Sequence, residues 1–210
     1  MNNSFWMADP HWGHGNILKY CDRFKFMSSQ ESEALVLAKK SGDRAAEKAV
    51  YISPATVQKM DDNLLIETNL AVQPNDTLYI HGDFAWVKTH EEAAYYRECI
   101  NCKNVILIWG NHDNRNLLKG LFQGYYDILD KKINGQHIVM CHYPFYTWDR
   151  SHYGSWHTWG HLHHRLKSKP GTFSVDVGID GWDYKPVSFE QLKDYMSKKD
   201  PSGEQGYFYE

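Results

Sequence analysis

The sequence predicts an α/β domain, and three features carry that prediction. Short apolar runs rich in β-branched and aromatic residues recur along the chain, each of a length suited to a buried strand. Segments with helix-start signals separate them. Most runs stop abruptly at polar residues, as strands do where an α/β sheet presents its functional loops.

Taken in order, SFWMA stops at Asp9, DTLYIHG at Asp83, NVILIWG at Asn111, HIVMC at His142 and WHTWG at His161. FSVDVGID runs into a further Gly/Asp turn. Residues 28–50 read as helical, with Gly42 breaking the stretch in two. Ser53 and Pro54 supply an N-cap and a first-turn proline for the segment ATVQKMDDNLLIETNLAV. Thr89 with Glu92, and Ser188 with Gln191, have capping-box spacing. No repeat, low-complexity tract or Pro/Gly linker divides the chain. Residues 1–198 therefore read as one domain and residues 199–210 as a loosely attached tail.

Hydrophobic residues make up 42% of the 210 residues and charged residues 23%, an ordinary globular balance. The net charge of -3 gives no electrostatic footprint of tight nucleic-acid binding. No stretch reaches the ~18–20 apolar residues of a membrane span. The opening MNNSFWMADPHW lacks the basic and apolar regions of a signal peptide. Cys21, Cys99, Cys102 and Cys141 are too scattered for a disulfide framework. A reduced, cytoplasmic protein is the expectation.

Five polar clusters end the apolar runs: Asp9 with His11, Asp83 after Gly82, Asn111–Asp113, His142, and His161 with His163. All contain His, Asp or Asn, the ligand types of borderline and hard divalent metals. The pairs Asp9/His11 and His161/His163 are spaced i, i+2, so extended backbone would turn both members of a pair the same way. Asp9, His11, Asp83, Asn111, His142, His161 and His163 are more ligands than one ion can use. Two ions sharing a bridging carboxylate fit better, and Asp83 is the natural bridge. Two divalent ions against two aspartates and a hydroxide leave a formal charge of about +1, which favours an anionic ester such as a phosphate.

The order D-x-H, GD, GNHD, H and GHxH resembles the calcineurin-like metallophosphoesterase superfamily. The stretches DPHWGHGNILKYCDRF and VGIDGWDYKPVS resemble its compact bacterial and phage branch. That resemblance implies a two-sheet β-sandwich flanked by helices in four α/β/β/α layers. It implies one metal on Asp9, His11, Asp83 and His163, and a second on Asp83, Asn111, His142 and His161. His112 matches the position that contacts the phosphate and protonates the leaving group, and Asp113 the acidic residue supporting it. Imidazole chemistry suits a general acid near neutral pH. Pro10 departs from the family pattern but leaves both adjacent ligands in place. A helical insertion at about residues 30–58 is a larger departure, reading as a lid, a dimer surface or ornament.

The expected function is a two-metal hydrolase of phosphate esters, a phosphodiesterase first, with a metal-bound hydroxide as nucleophile. Manganese is the first choice of ion, with Fe, Zn, Ni or Co as alternatives. The partner is a phosphate ester, including a nucleotide or short nucleic acid. The alternatives are a nuclease on short nucleic acid and a non-catalytic, metal-dependent interaction scaffold. Arg23 and Arg150 have the guanidinium fork suited to a phosphate, Arg23 having the better case for substrate binding. His14 reads equally as a substrate contact and as loop structure. His81 and His164 adjoin ligands and could orient them. Tyr146, Trp148, Tyr153, Trp156 and Trp159 read as core or as an aromatic wall of the cleft. Cys99 and Cys102 read as helix-end packing.

Overall fold

The computed structural model describes residues 2–166, 168 and 171–199. In chain order the elements are β1 (Ser4–Met7), α1 (Gly15–Tyr20), α2 (Ser29–Ser41), α3 (Arg44–Ala49), α4 (Pro54–Ala71) and β2 (Thr77–His81). There follow α5 (His90–Glu98), β3 (Asn104–Ile108), α6 (Arg115–Leu118), β4 (Gly124–Tyr126), β5 (Ile128–Ile133) and β6 (Gln136–Cys141). β7 (Trp156–Trp159), β8 (Ser174–Asp176), β9 (Val187–Ser188) and α7 (Phe189–Ser197) complete the described chain. No helix among the described residues is long and apolar enough to cross a membrane. Of the expected tail, residues 200–210 lie outside the described residues.

The strands form two sheets, ordered β4-β3-β2-β1-β9 and β5-β6-β7-β8. β1 to β4 run parallel, as do β6 to β8. Parallel neighbours need long crossovers, and the helices supply them between β1, β2, β3 and β4. The C-terminal ends of β1, β2 and β3 therefore gather at one end of the first sheet. A parallel bridge between Ala8 and Gly178 joins that end to the chain leaving β8.

Side-chain alternation divides the core in two. Phe5, Met7, Leu78, Ile80, Val105 and Leu107 face Leu18, Leu35, Met60 and Leu64 of the helices. Trp6, Tyr79 and Ile108 face Ile138, Met140, Trp156 and Val175 across the two sheets. Trp6 Nε1 donates to Met140 Sδ at 3.4 Å between them. The mixed α/β class with two sheets is as expected, but the outermost layer differs. The outward face of the second sheet is covered by loop 143–155, with Phe145 stacked on His157 at 4.9 Å and Trp148 at 5.2 Å. α7 packs at the margin of the inter-sheet core, through Leu192 and Met196.

The helical stretch breaks at Gly42, a C-cap in left-handed conformation with φ 70. The expected insertion at about 30–58 corresponds to α2, α3 and the start of the continuous helix α4, which contains residue 58. Two buried polar groups fix this part. The Glu31 carboxylate accepts from Ser28 N, Ser53 N and Thr56 Oγ1, at 2.9, 2.7 and 2.7 Å, and so clamps the starts of α2 and α4 together. The Lys19 ammonium donates to the carbonyls of Lys48 and Val50, at 2.7 and 3.1 Å, satisfying the end of α3.

Burial pushes the Glu31 carboxyl up, but the hydrogen bonds from Ser53, Thr56 and Ser28 outweigh it and hold it at about 2. A depressed carboxylate contributes stability that is complete above its ordinary value of 4.5 and is lost as pH falls toward about 2. Glu31→Gln is expected to lower stability by about 1–3 kcal/mol at neutral pH. It should also flatten the loss of wild-type stability across that acid window, as read by denaturant unfolding at a series of pH values.

Candidate metal centre

The polar clusters follow the C-terminal ends of β1, β2, β3, β6 and β7, and the two sheets bring them together. Their backbone is not extended. Asp9, His11, Asp83, His161 and His163 have φ of 58, 52, 52, 70 and 49, all in the left-handed region. The i, i+2 pairs therefore converge through tight turns and not through strand alternation. Such conformations cost non-glycine residues about 1–3 kcal/mol each and persist where the surroundings over-determine them.

Two groups of ligand atoms result. In Asp9, His11 and His163 they lie within 4.8 Å of one another, and so do those of Asp83, His142 and His161. Asp83 Oδ2 stands between the groups, 3.5 Å from His11 Nε2 and 3.6 Å from His142 Nε2. His142 Nδ1 donates to the His81 carbonyl at 2.7 Å, which leaves Nε2 as an acceptor. That Nε2 lies 2.9 Å from Asn111 Oδ1 and 3.2 Å from His161 Nδ1. His142 Nε2 and Asn111 Oδ1 are thus two acceptors in contact, and His161 Nδ1 is the one neighbour here that could carry a proton toward them. Asp9 Oδ1 and His11 Nε2 are buried with no hydrogen-bond partner. These residues could hold metal ions, because a cation satisfies both the crowded acceptors and the orphaned atoms.

The electrostatics agree. Burial, then Asp83 and Asp176, push Asp9 well above the usual carboxylate range, and burial raises Asp83. Burial lowers His11, His142 and His161, keeping the imidazoles in the neutral form that binds metals. A third group, Cys21, His163 and Asp180, is already committed. Burial pushes the Cys21 thiol up to about 12, and Asp180 is paired with Arg23.

Arg23 is not exposed to substrate, contrary to the sequence expectation. It is fully buried, with Nε and Nη2 on the Asp180 carboxylate at 2.8 and 3.0 Å. Its remaining donors reach the carbonyls of Asp9 and Pro10 at 2.9 and 3.1 Å. Asp180 in turn accepts from His163 Nδ1 at 2.8 Å, leaving Nε2 free. Burial raises the Asp180 carboxyl, but Arg23 and His163 outweigh it and hold it at about 2. Asp180 escaped sequence reading although it lies in the quoted VGID stretch.

Asp113 also differs from expectation. Its carboxylate accepts from the backbone N–H groups of Asp83, Phe84 and Gly110, at 3.1, 2.8 and 2.8 Å, so it supports the loops and not the His112 ring. Gly110 and Gly160 permit the close approach. A Cβ at Gly110 would collide with Asp83, and one at Gly160 would collide with Ala8 and lie 2.7 Å from Asp9 Oδ2.

A cleft of about 480 Å³ opens beside the first group, lined by His11, His14, Tyr20, Trp86, His112 and His163 among others. His14 stacks on Trp86 at 4.3 Å, and burial lowers it to about 4. His112 is exposed, 5.6 Å from both the His11 and Trp86 rings, and its backbone N–H donates to Asp83 Oδ1 at 2.9 Å. The aromatic wall is therefore Trp86 and Tyr20. Trp148, Trp156 and Trp159 are buried, while Tyr146 and Tyr153 are exposed and line no part of this cleft. Trp86 stands three residues after Asp83, a signal that was available. Arg150 Nη1 is 3.1 Å from His137 Nε2, and neither residue lines the cleft. His164 N donates to Asp176 at 2.9 Å, and the cysteines are free.

No family model matches this chain. The uncharacterized protein MJ1445 of Methanocaldococcus jannaschii is 23% identical over 205 residues, covering 94% of this chain and 93% of its own. Among solved structures, the protein of unknown function AQ665 from Aquifex aeolicus matches with a TM-score of 0.62 and 19% identity, over 93% of this chain and 100% of that one. A novel archaeal phosphodiesterase matches with a TM-score of 0.42 and 16% identity, over 84% and 83%. The Aquifex likeness shows a shared fold.

Arg23→Met leaves the Asp180 carboxylate buried without its cation, and is expected to cost about 3–5 kcal/mol in urea unfolding. Unchanged stability together with a raised KM would return Arg23 to substrate binding.

Proposed function

We propose that this chain is a two-metal hydrolase of phosphate esters, of the calcineurin-like metallophosphoesterase type. The observation that carries the reading is the Asp83 carboxylate, which belongs to one group of ligand atoms while its Oδ2 lies 3.5 Å from His11 Nε2 of the other, beside the buried and unpartnered Asp9 Oδ1 and His11 Nε2. Asp9, His11, Asp83 and His163 would hold one ion, and Asp83, Asn111, His142 and His161 the other. Manganese is our first choice, since the mixed imidazole, carboxylate and amide set suits it and its neighbours in the series. Divalent ions bound there would supply positive charge for phosphoryl oxygens and would lower the pKa of a coordinated water.

The chain's own residues supply the rest. His112 sits on the rim of the cleft and has no place in either ligand group, so it is free to move a proton to a leaving oxygen. Its backbone N–H donates to Asp83 Oδ1, which ties the His112 main chain to that carboxylate. The cleft has room for the organic part of a phosphate ester, and a diester is our first choice of substrate.

Turnover of an aryl phosphodiester with added Mn²⁺ tests the reading, because a scaffold would bind ions and release no phenol. His112→Ala is expected to lower kcat by about 10²–10⁴ while two ions per chain remain by metal analysis. Asp83→Asn is expected to lose bound metal along with activity. Full occupancy by both ions in that variant would remove the bridge.

A further inference from the structure

Beside the cleft lies a second groove, of about 350 Å³, lined by Tyr20, Lys39, Arg44, Glu47, Lys48 and Arg165. Tyr20 and Arg165 line both cavities, so the two are neighbours. The groove has four cations against one carboxylate, in a chain whose net charge is -3. Lys39 is paired with Asp22 at 2.5 Å. The Arg44 and Lys48 side chains are exposed, and Arg165 uses one nitrogen on the Tyr20 carbonyl.

Isolated basic residues on a helix are ordinarily a solvated face, but these come from three separate parts of the chain and meet in a concavity. α2 brings Lys39, α3 brings Arg44 and Lys48, and the loop after β7 brings Arg165 two residues beyond His163. Their positions are fixed from below. The buried Lys19 ammonium holds the Lys48 carbonyl, Asp43 caps α3 by accepting from Ala45 N at 2.8 Å, and Glu31 locks α2 to α4.

We propose that α2 and α3 build an anion subsite, which binds a second phosphate of the substrate while the scissile ester lies at the metal centre. This deepens the phosphoesterase reading and rests on it. The substrate class is a small organic phosphodiester with a further phosphate, such as a nucleotide derivative. A nucleic-acid strand fits less well. The positive charge is one cluster in a pocket of ligand size, not a stripe that tracks a backbone.

The first experiment needs no activity. Chelator-treated protein is titrated calorimetrically with inorganic pyrophosphate at about 50 and about 200 mM salt. The wild type should bind, more weakly at the higher salt, and the Arg44→Ala/Lys48→Ala double variant should bind at least about tenfold more weakly. Equal affinity in the two proteins overturns the subsite. The second uses manganese-loaded holoenzyme with a nitrophenyl ester of a nucleoside 5′-phosphate, with and without a 3′-phosphate. The wild type should favour the 3′-phosphorylated ester, and the double variant should lose that preference about tenfold in the ratio of kcat/KM values. Loss of pyrophosphate binding without hydrolysis by the wild type would leave the subsite standing and sink the phosphoesterase reading. Hydrolysis with an unchanged ratio would do the reverse. A single-stranded oligonucleotide that binds the chelated protein more tightly than pyrophosphate, through Arg44 and Lys48, would overturn the small-molecule class.

Discussion

Two carboxylates, Asp9 and Asp83, stand close together where little water reaches them, with histidine nitrogens on either side. Left alone, this arrangement is unfavourable. Like charges repel, burial penalises each of them, and Asp9 Oδ1 and His11 Nε2 have no hydrogen-bond partner. Positive charge placed between them would relieve all three costs at once. The rest of the molecule makes most sense as machinery for assembling that arrangement and keeping it from relaxing.

Parallel topology does the assembling. Strands that run the same way deliver their ends to one side, so β1, β2 and β3 offer their loops together, and β6 and β7 offer theirs from the other sheet. The turns do the aiming. Because Asp9, His11, Asp83, His161 and His163 have left-handed backbone, the loops after β1, β2 and β7 bend back sharply instead of continuing away from their strands. Asp113 then ties the second loop to the third through three backbone N–H groups, which keeps Asp83 and Asn111 in register.

Much of this was legible in the sequence, and what was not has physical reasons. β1, β2, β3, β6, β7 and β8 are buried enough to read as apolar runs. β5 was missed because Asp130, Lys131 and Lys132 face solvent in its middle, which erases the apolar signal. The Asn134–Gly135 pair that joins it to β6 was the available clue, since both residues have the positive φ of a two-residue hairpin turn. The candidate residues were readable because His, Asp and Asn directly end apolar runs. Which way each ligand points was not, since alternation along a strand says nothing about a left-handed turn. Arg23 was misplaced for a related reason. Its partner Asp180 lies 157 residues away, and no local spacing announces a buried pair of that span.

Arg23 and Asp180 also account for how Pro10 is accommodated. Proline ordinarily drives the residue before it toward extended backbone, and Asp9 instead has φ 58. Asp9 is therefore strained on two counts, by its own Cβ and by the ring that follows. The strain is held from several sides: Arg23 takes the carbonyls of Asp9 and Pro10, Gly82 accepts from Asp9 N at 3.2 Å, and His161 N donates to Asp9 Oδ2 at 2.8 Å. Pro10 offers no N–H, and the loop asks it only for its carbonyl, so the substitution fits a turn built around a buried guanidinium. Through Asp180 the same guanidinium reaches His163. One buried cation thus sets the first and last ligands of one group, and its burial is intelligible as part of what it takes to present Asp9 in a conformation the free chain would avoid.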